Sequence, residues 1–136
     1  MVMDNPAVIN TATRKFLRGK QKWDEHYDAF LLQNTVIGYE GILWTRKYFE
    51  LLASGNTEQL DAIMKEVCSR LNSSCVVVGH NTVPTITGAA NGALWLVDAA
   101  LSRAYDSRVN EVLEILHDDD PAQPTMFRIV RLQKDD

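Results

Sequence analysis

Residues 88–117 read GAANGALWLVDAALSRAYDSRVNEVLEILH. Ala93, Leu94, Leu96, Val97, Ala100, Leu101, Ala104, Val109, Val112, Leu113 and Leu116 recur at helical spacing, which predicts one long helix over about 88–117. Its first half is small and apolar on most sides, through Ala89, Ala90, Gly92, Ala93, Ala99 and Ala100. That is the composition of a central helix crossed closely by others.

Working back from this stretch, Gly79–Gly88 (GHNTVPTITG) reads as a loop leading into the helix start. Pro84 biases Val83 to an extended conformation, and Thr85 or Thr87 supplies a cap. Before the loop, Cys75-Val76-Val77-Val78 is a β-branched run between Ser and Gly, predicting a short buried strand. Residues 58–71 are the clearest amphipathic segment, with Leu60, Ile63, Met64, Val67, Cys68 and Leu71 on one face and Asn72-Ser73-Ser74 ending it. The apolar spacing from Trp23 to Leu52 predicts a second long helix over about 22–53. Gly38 and Gly41 interrupt it, as glycines do where another backbone comes close or a helix kinks. A first helix over about 6–18 starts at Asn5-Pro6.

In the other direction, Asp118–Pro124 is a loop, and Met126–Leu132 is a last strand in which Phe127 and Ile129 alternate with Arg128. The expected architecture is therefore mainly α: a single domain over 1–136, a helical bundle of about four helices, two of them long, with a small two-stranded β element. The two strands would have to meet by returning the C-terminal strand to 75–78, or pair across copies of the chain, because a lone ribbon is weak in water.

With 136 residues, 46% of them hydrophobic and 24% charged, the chain has enough apolar surface to fold, which excludes a disordered class. The net charge of −4 argues against a general nucleic-acid binder. It is unevenly distributed, however: five bases less Asp4 give residues 1–22 a charge of +4, so residues 23–136 carry −8. Cys68 and Cys75 are too few for a disulfide scaffold and lack zinc-ligand spacing, and Met1–Pro6 opens with an acid where a signal peptide needs bases. No apolar run approaches the about 18 residues of a spanning helix. The expectation is an acidic, cytoplasmic protein without a membrane contact.

Four groups of residues invite a chemical reading. In Gly79–Gly88, a strand, a glycine and a threonine-rich turn before a helix would aim free amides at one point, an anion or nucleotide site lined by His80, Asn81, Thr82, Thr85 and Thr87. The glycine and lysine pattern of a phosphate-binding loop is missing. On a helix, Glu111, Glu114 and Asp118 would share one face, although no second acidic pair accompanies them to hold Mg²⁺. Neither a metal-spaced histidine pair nor a Gly-x-Ser-x-Gly elbow occurs. Lastly, Arg14, Lys15, Arg18, Lys20 and Lys22, followed by Trp23, form a basic patch suited to a partner protein or, as a third reading, to nucleic acid. The three tryptophans, Trp23, Trp44 and Trp95, are read as core side chains.

Together these point to a non-enzymatic binding or regulatory protein of the adaptor, accessory or inhibitor kind, similar in size and style to viral and phage accessory proteins, self-associating and needing no cofactor. The alternative is a small ligand- or nucleotide-binding protein or enzyme built on the Gly79–Gly88 loop.

Overall fold

A computed structural model describes residues 6–18, 36, 38–39, 41–101, 110–117, 120 and 124–132. The chain divides into two compact units, Met1–Ser74 and Cys75–Asp136. It is not a mainly α bundle: the described residues form three α-helices and five strands in two small sheets.

The first unit holds the helices. Helix α1 (Pro6–Leu17) carries Thr11 and Thr13, whose hydroxyls donate back to the carbonyls of Ala7 and Ile9 at 2.7 and 2.8 Å, so neither needs a partner outside the helix. Helix α2 (Lys47–Ala53) packs against α3 (Thr57–Leu71), which buries Leu60 and Met64 completely. Burial also raises the Tyr48 phenol above its usual range, with the nearby Cys68 thiol adding to the rise.

Both helices stop the same way. Gly55 (φ 73°) and Asn72 (φ 50°) take the left-handed conformation, and the amides of Asn56 and Ser73 return to the carbonyls of Leu51 and Cys68 at 2.9 and 3.0 Å. Of the long helix expected over 22–53, residues 22–35, 37 and 40 lie outside the described residues; Val36 is helical and Lys47–Ala53 form α2. Residues 41–44 form a turn instead, and Gly41 explains why. A Cβ there would lie 2.6 Å from the carbonyl carbon and oxygen of Val36, so the chain folds back on itself where only glycine fits.

The second unit holds the strands. Strand β1 (Val76–Val78) runs parallel to β3 (Leu94–Leu96), and β2 (Thr87–Ala89) runs antiparallel to β3, giving the order β1-β3-β2. The central strand alternates, burying Leu94 and Leu96 fully while Trp95 lies across Gly88 on the other face. A Cβ at Gly88 would sit 3.0 Å from the indole, so the missing side chain makes the seat for the ring. Strands β4 (Asn110–Leu116) and β5 (Met126–Leu132) make a separate antiparallel ribbon, paired from Asn110↔Leu132 to Leu116↔Met126. The last strand therefore pairs with β4, and β1 with β3. Within the chain, the described residues of 75–78 and 126–132 do not pair with each other.

The predicted 88–117 helix fails first at its start. Ala90, Asn91 and Gly92 have φ of 49°, 53° and 86°, a left-handed turn joining β2 to β3. Asn-Gly between apolar runs is a hairpin signal, and here it outweighs the helical spacing around it. Ala90 has no side-chain reason to occupy that region, which costs an L-residue about 1–2 kcal/mol. Replacing Ala90 with Gly is therefore expected to raise the stability of this unit by about 0.5–1 kcal/mol, read by urea titration.

Candidate functional site

The loop between β1 and β2 begins at exposed Gly79 and His80, the latter in the left-handed region at φ 67°. The Asn81 amide donates to the Gly79 carbonyl at 2.8 Å, and its side chain is buried while Thr82 faces solvent. The Val83 amide reaches across to the Asp98 carbonyl at 2.9 Å. Further along, the Thr87 hydroxyl donates to the Thr85 carbonyl at 2.8 Å.

What organises the far end of this loop is Glu111, a residue that helical reading had placed on an exposed acidic face. As part of β4 it is 1% exposed. One carboxylate oxygen accepts the Thr85 hydroxyl at 2.6 Å and the Ile86 amide at 2.7 Å; the other accepts Arg131 Nε, from β5, at 2.7 Å. These partners fix the ionised form. The Thr85 hydroxyl, then the Ile86 amide and Arg131, pull the Glu111 carboxyl below the usual carboxylate range despite desolvation, which pushes the other way.

The expected anion site is changed by this arrangement in two respects. The helix whose positive end would have faced the anion is not there, since Thr87–Ala89 is strand β2. The Thr85 hydroxyl is also given to a carboxylate of the protein itself. His80 and Thr82 lie in the exposed part of the loop.

The acidic group likewise dissolves. Residues three apart on a strand point to opposite faces, so Glu111 turns inward while Glu114 pairs with Arg128 on the outer side, Nε to Oε2 at 2.6 Å. Asp118 lies outside the described residues. Among the described residues no three His, Cys, Asp or Glu side chains gather to hold a metal ion. No described helix is long and apolar enough to cross a membrane.

Of the basic patch, Arg14 is exposed on α1, and Arg18 is exposed just after it, its amide bonded to the Arg14 carbonyl at 3.1 Å. Lys15 belongs to α1; Lys20, Lys22 and Trp23 lie outside the described residues.

A feature that the sequence reading missed lies in the turn around Gly41. Four short backbone hydrogen bonds hold it: Gly41 to Gly38, Leu43 to Val36, and both Trp44 and Thr45 to Gly41, at 2.7–3.0 Å. On this frame Tyr39, Ile42, Leu43 and Trp44 are 77%, 60%, 48% and 51% exposed. Trp44 is thus a surface residue, whereas Trp95 is half-buried, donates to the Gly92 carbonyl at 3.1 Å and stacks on Phe127 at 5.2 Å. The available signal was the Gly38–Gly41 pair, which marked a break in the helix. Side chains at a break no longer follow the helical stripe.

No protein-family model matches the chain, and no curated protein or solved structure matches it.

Proposed function

We propose that this is a non-enzymatic binding protein of the adaptor, accessory or inhibitor kind, acting through protein–protein contacts and self-associating. The observation that supports it best is the Gly41 turn, a hydrogen-bonded frame on which Tyr39, Ile42, Leu43 and Trp44 are all exposed within six residues of chain. Single exposed apolar residues need no explanation, but four within one short turn, Tyr and Trp among them, have the composition of an interface anchor. Holding the backbone in advance lowers the ordering cost of binding.

The test is affinity capture from the source organism's extract, with mass-spectrometric identification, using the native chain beside two variants. Trp44→Ala with Tyr39→Ala removes the side chains, and Gly41→Ala forces the turn apart through its 2.6 Å contact with Val36. The identified protein is then titrated against purified chains. Affinity is expected to fall at least about a hundredfold in the first variant, as for hot-spot aromatics. The second should lose binding too, with the circular dichroism of α2 and α3 retained. Equal affinity for native and variant chains overturns this role for the turn.

A further inference from the structure

Residues of the β4–β5 ribbon divide between two faces. One carries Glu111 and Phe127, which are held by Thr85, Ile86 and Trp95 within the same unit, together with Ile115 and Ile129, which are 46% and 37% exposed. The other carries, level by level, Val112 with Val130, Glu114 with Arg128, and Leu116 with Met126. On this outer face Val112, Leu116 and Met126 are 44%, 41% and 59% exposed, and the Glu114–Arg128 ion pair sits among them.

We propose that this outer face is a two-fold interface with a second copy of the chain, its axis running along the ribbon. The proposal rests on the self-association included in the proposed function and gives it a surface. A two-fold contact requires a patch complementary to itself. When an axis parallel to the strands relates two stacked ribbons, each residue keeps its level but crosses to the other strand. Each β4 then lies over the partner's β5. Val112 meets the partner's Val130, Leu116 meets the partner's Met126, and Glu114 meets the partner's Arg128. Two ion pairs become a square of alternating charge within an apolar patch, at the spacing of about 10 Å usual for stacked sheets. The other in-plane two-fold, across the strands, sets β4 over β4 and β5 over β5 with the levels reversed: an axis at the Glu114–Arg128 level sets like charges against like, and an axis at any other level gives the ion pair no opposite charge to face. Charge thus selects one orientation, and it selects a second copy because the patch supplies both halves of the match.

Reversal of each charge tests this, followed by mixing. Glu114→Arg leaves two bases on the face and Arg128→Glu leaves two acids. Each variant alone sets like charges against like, so its dimer dissociation constant should rise at least about a hundredfold, measured by sedimentation and light scattering. An equimolar mixture of the two should restore a one-to-one heterodimer, a result that damage within either chain cannot produce. Met126→Lys keeps the ion pair, alters an exposed side chain, and should give a monomer with native circular dichroism.

A native dimer whose charge variants associate as before, or whose mixture yields no heterodimer, overturns this face while leaving self-association in place. A native chain that is monomeric at tens of micromolar overturns both. Partner capture through the Gly41 turn is read independently of either result.

Discussion

Replacement of Glu111 with Leu should lower the melting temperature of the Cys75–Asp136 unit by on the order of 10 °C. Leucine fits the apolar part of the space, but it leaves the Ile86 amide and the Thr85 hydroxyl facing carbon where both now donate to a carboxylate oxygen. A buried donor without an acceptor carries its full desolvation cost, which exceeds the net worth of the bond that was lost. Arg131 matters less, because its side chain is 71% exposed and water can replace the carboxylate. Glu111→Gln should fall between, since one amide oxygen can serve the loop while the amide nitrogen then confronts Arg131.

The same residue sets an acid limit. Its folded pKa lies below the ordinary 4.5, so the stabilisation is complete above that value and is lost as pH falls through the lower, folded pKa. Native protein should therefore lose stability with acidification more steeply than Glu111→Leu, the two curves converging at low pH. Parallel curves in thermal melts across that range would contradict the role assigned to the carboxylate.

Leu96→Ala should cost the same unit about 3 kcal/mol, within the 2–5 kcal/mol typical of fully buried leucines. Leu94 and Leu96 are both 0% exposed on the central strand, with β1 on one side and β2 on the other. Neither neighbour can close a void there without giving up its pairing to β3. By contrast, Leu116→Ala, at a 41% exposed site, should cost well under half as much in the same urea titration.

Where local pattern and final structure agree, no distant contact was needed to decide the matter. Residues 57–71 carry one apolar stripe that buries Leu60 and Met64, and Asn72 stops the helix by taking the left-handed conformation. Val76–Val78 and Met126–Leu132 likewise announce themselves by β-branched residues or alternation. The error over 88–117 came from residues that satisfy two periods at once. Leu94 and Leu96 fit a helical stripe with Val97 and Ala100, yet they also alternate with Trp95, and over three residues the spacing cannot choose. The choice was made by Asn91-Gly92 and by Gly88, which fits beneath the indole.

The site was legible in part. The sequence marks the polar loop as an anion site, and in the structure the Thr85 and Thr87 hydroxyls donate to the Glu111 carboxylate and the Thr85 carbonyl. The acceptor of the Thr85 hydroxyl, Glu111, is 26 residues away, and only the register of β4 turns it inward while sending Glu114 out. Likewise the ion pair Glu114–Arg128 spans 14 residues and exists because two strands align. No spacing rule along the chain reveals such a pair before the pairing is known.

The turn from Ala90 to Gly92 has a consequence of another kind. Its three φ values lie on the side of conformational space that mirror-image amino acids prefer. At these positions evolution has in effect asked an L-chain to imitate a D-chain for one turn, with glycine, asparagine and the smallest chiral residue as its means. D-alanine placed at position 90 or 92 by chemical synthesis would follow that path without strain. Handedness of the backbone, rather than the chemistry of any side chain, is what this corner of the molecule selects.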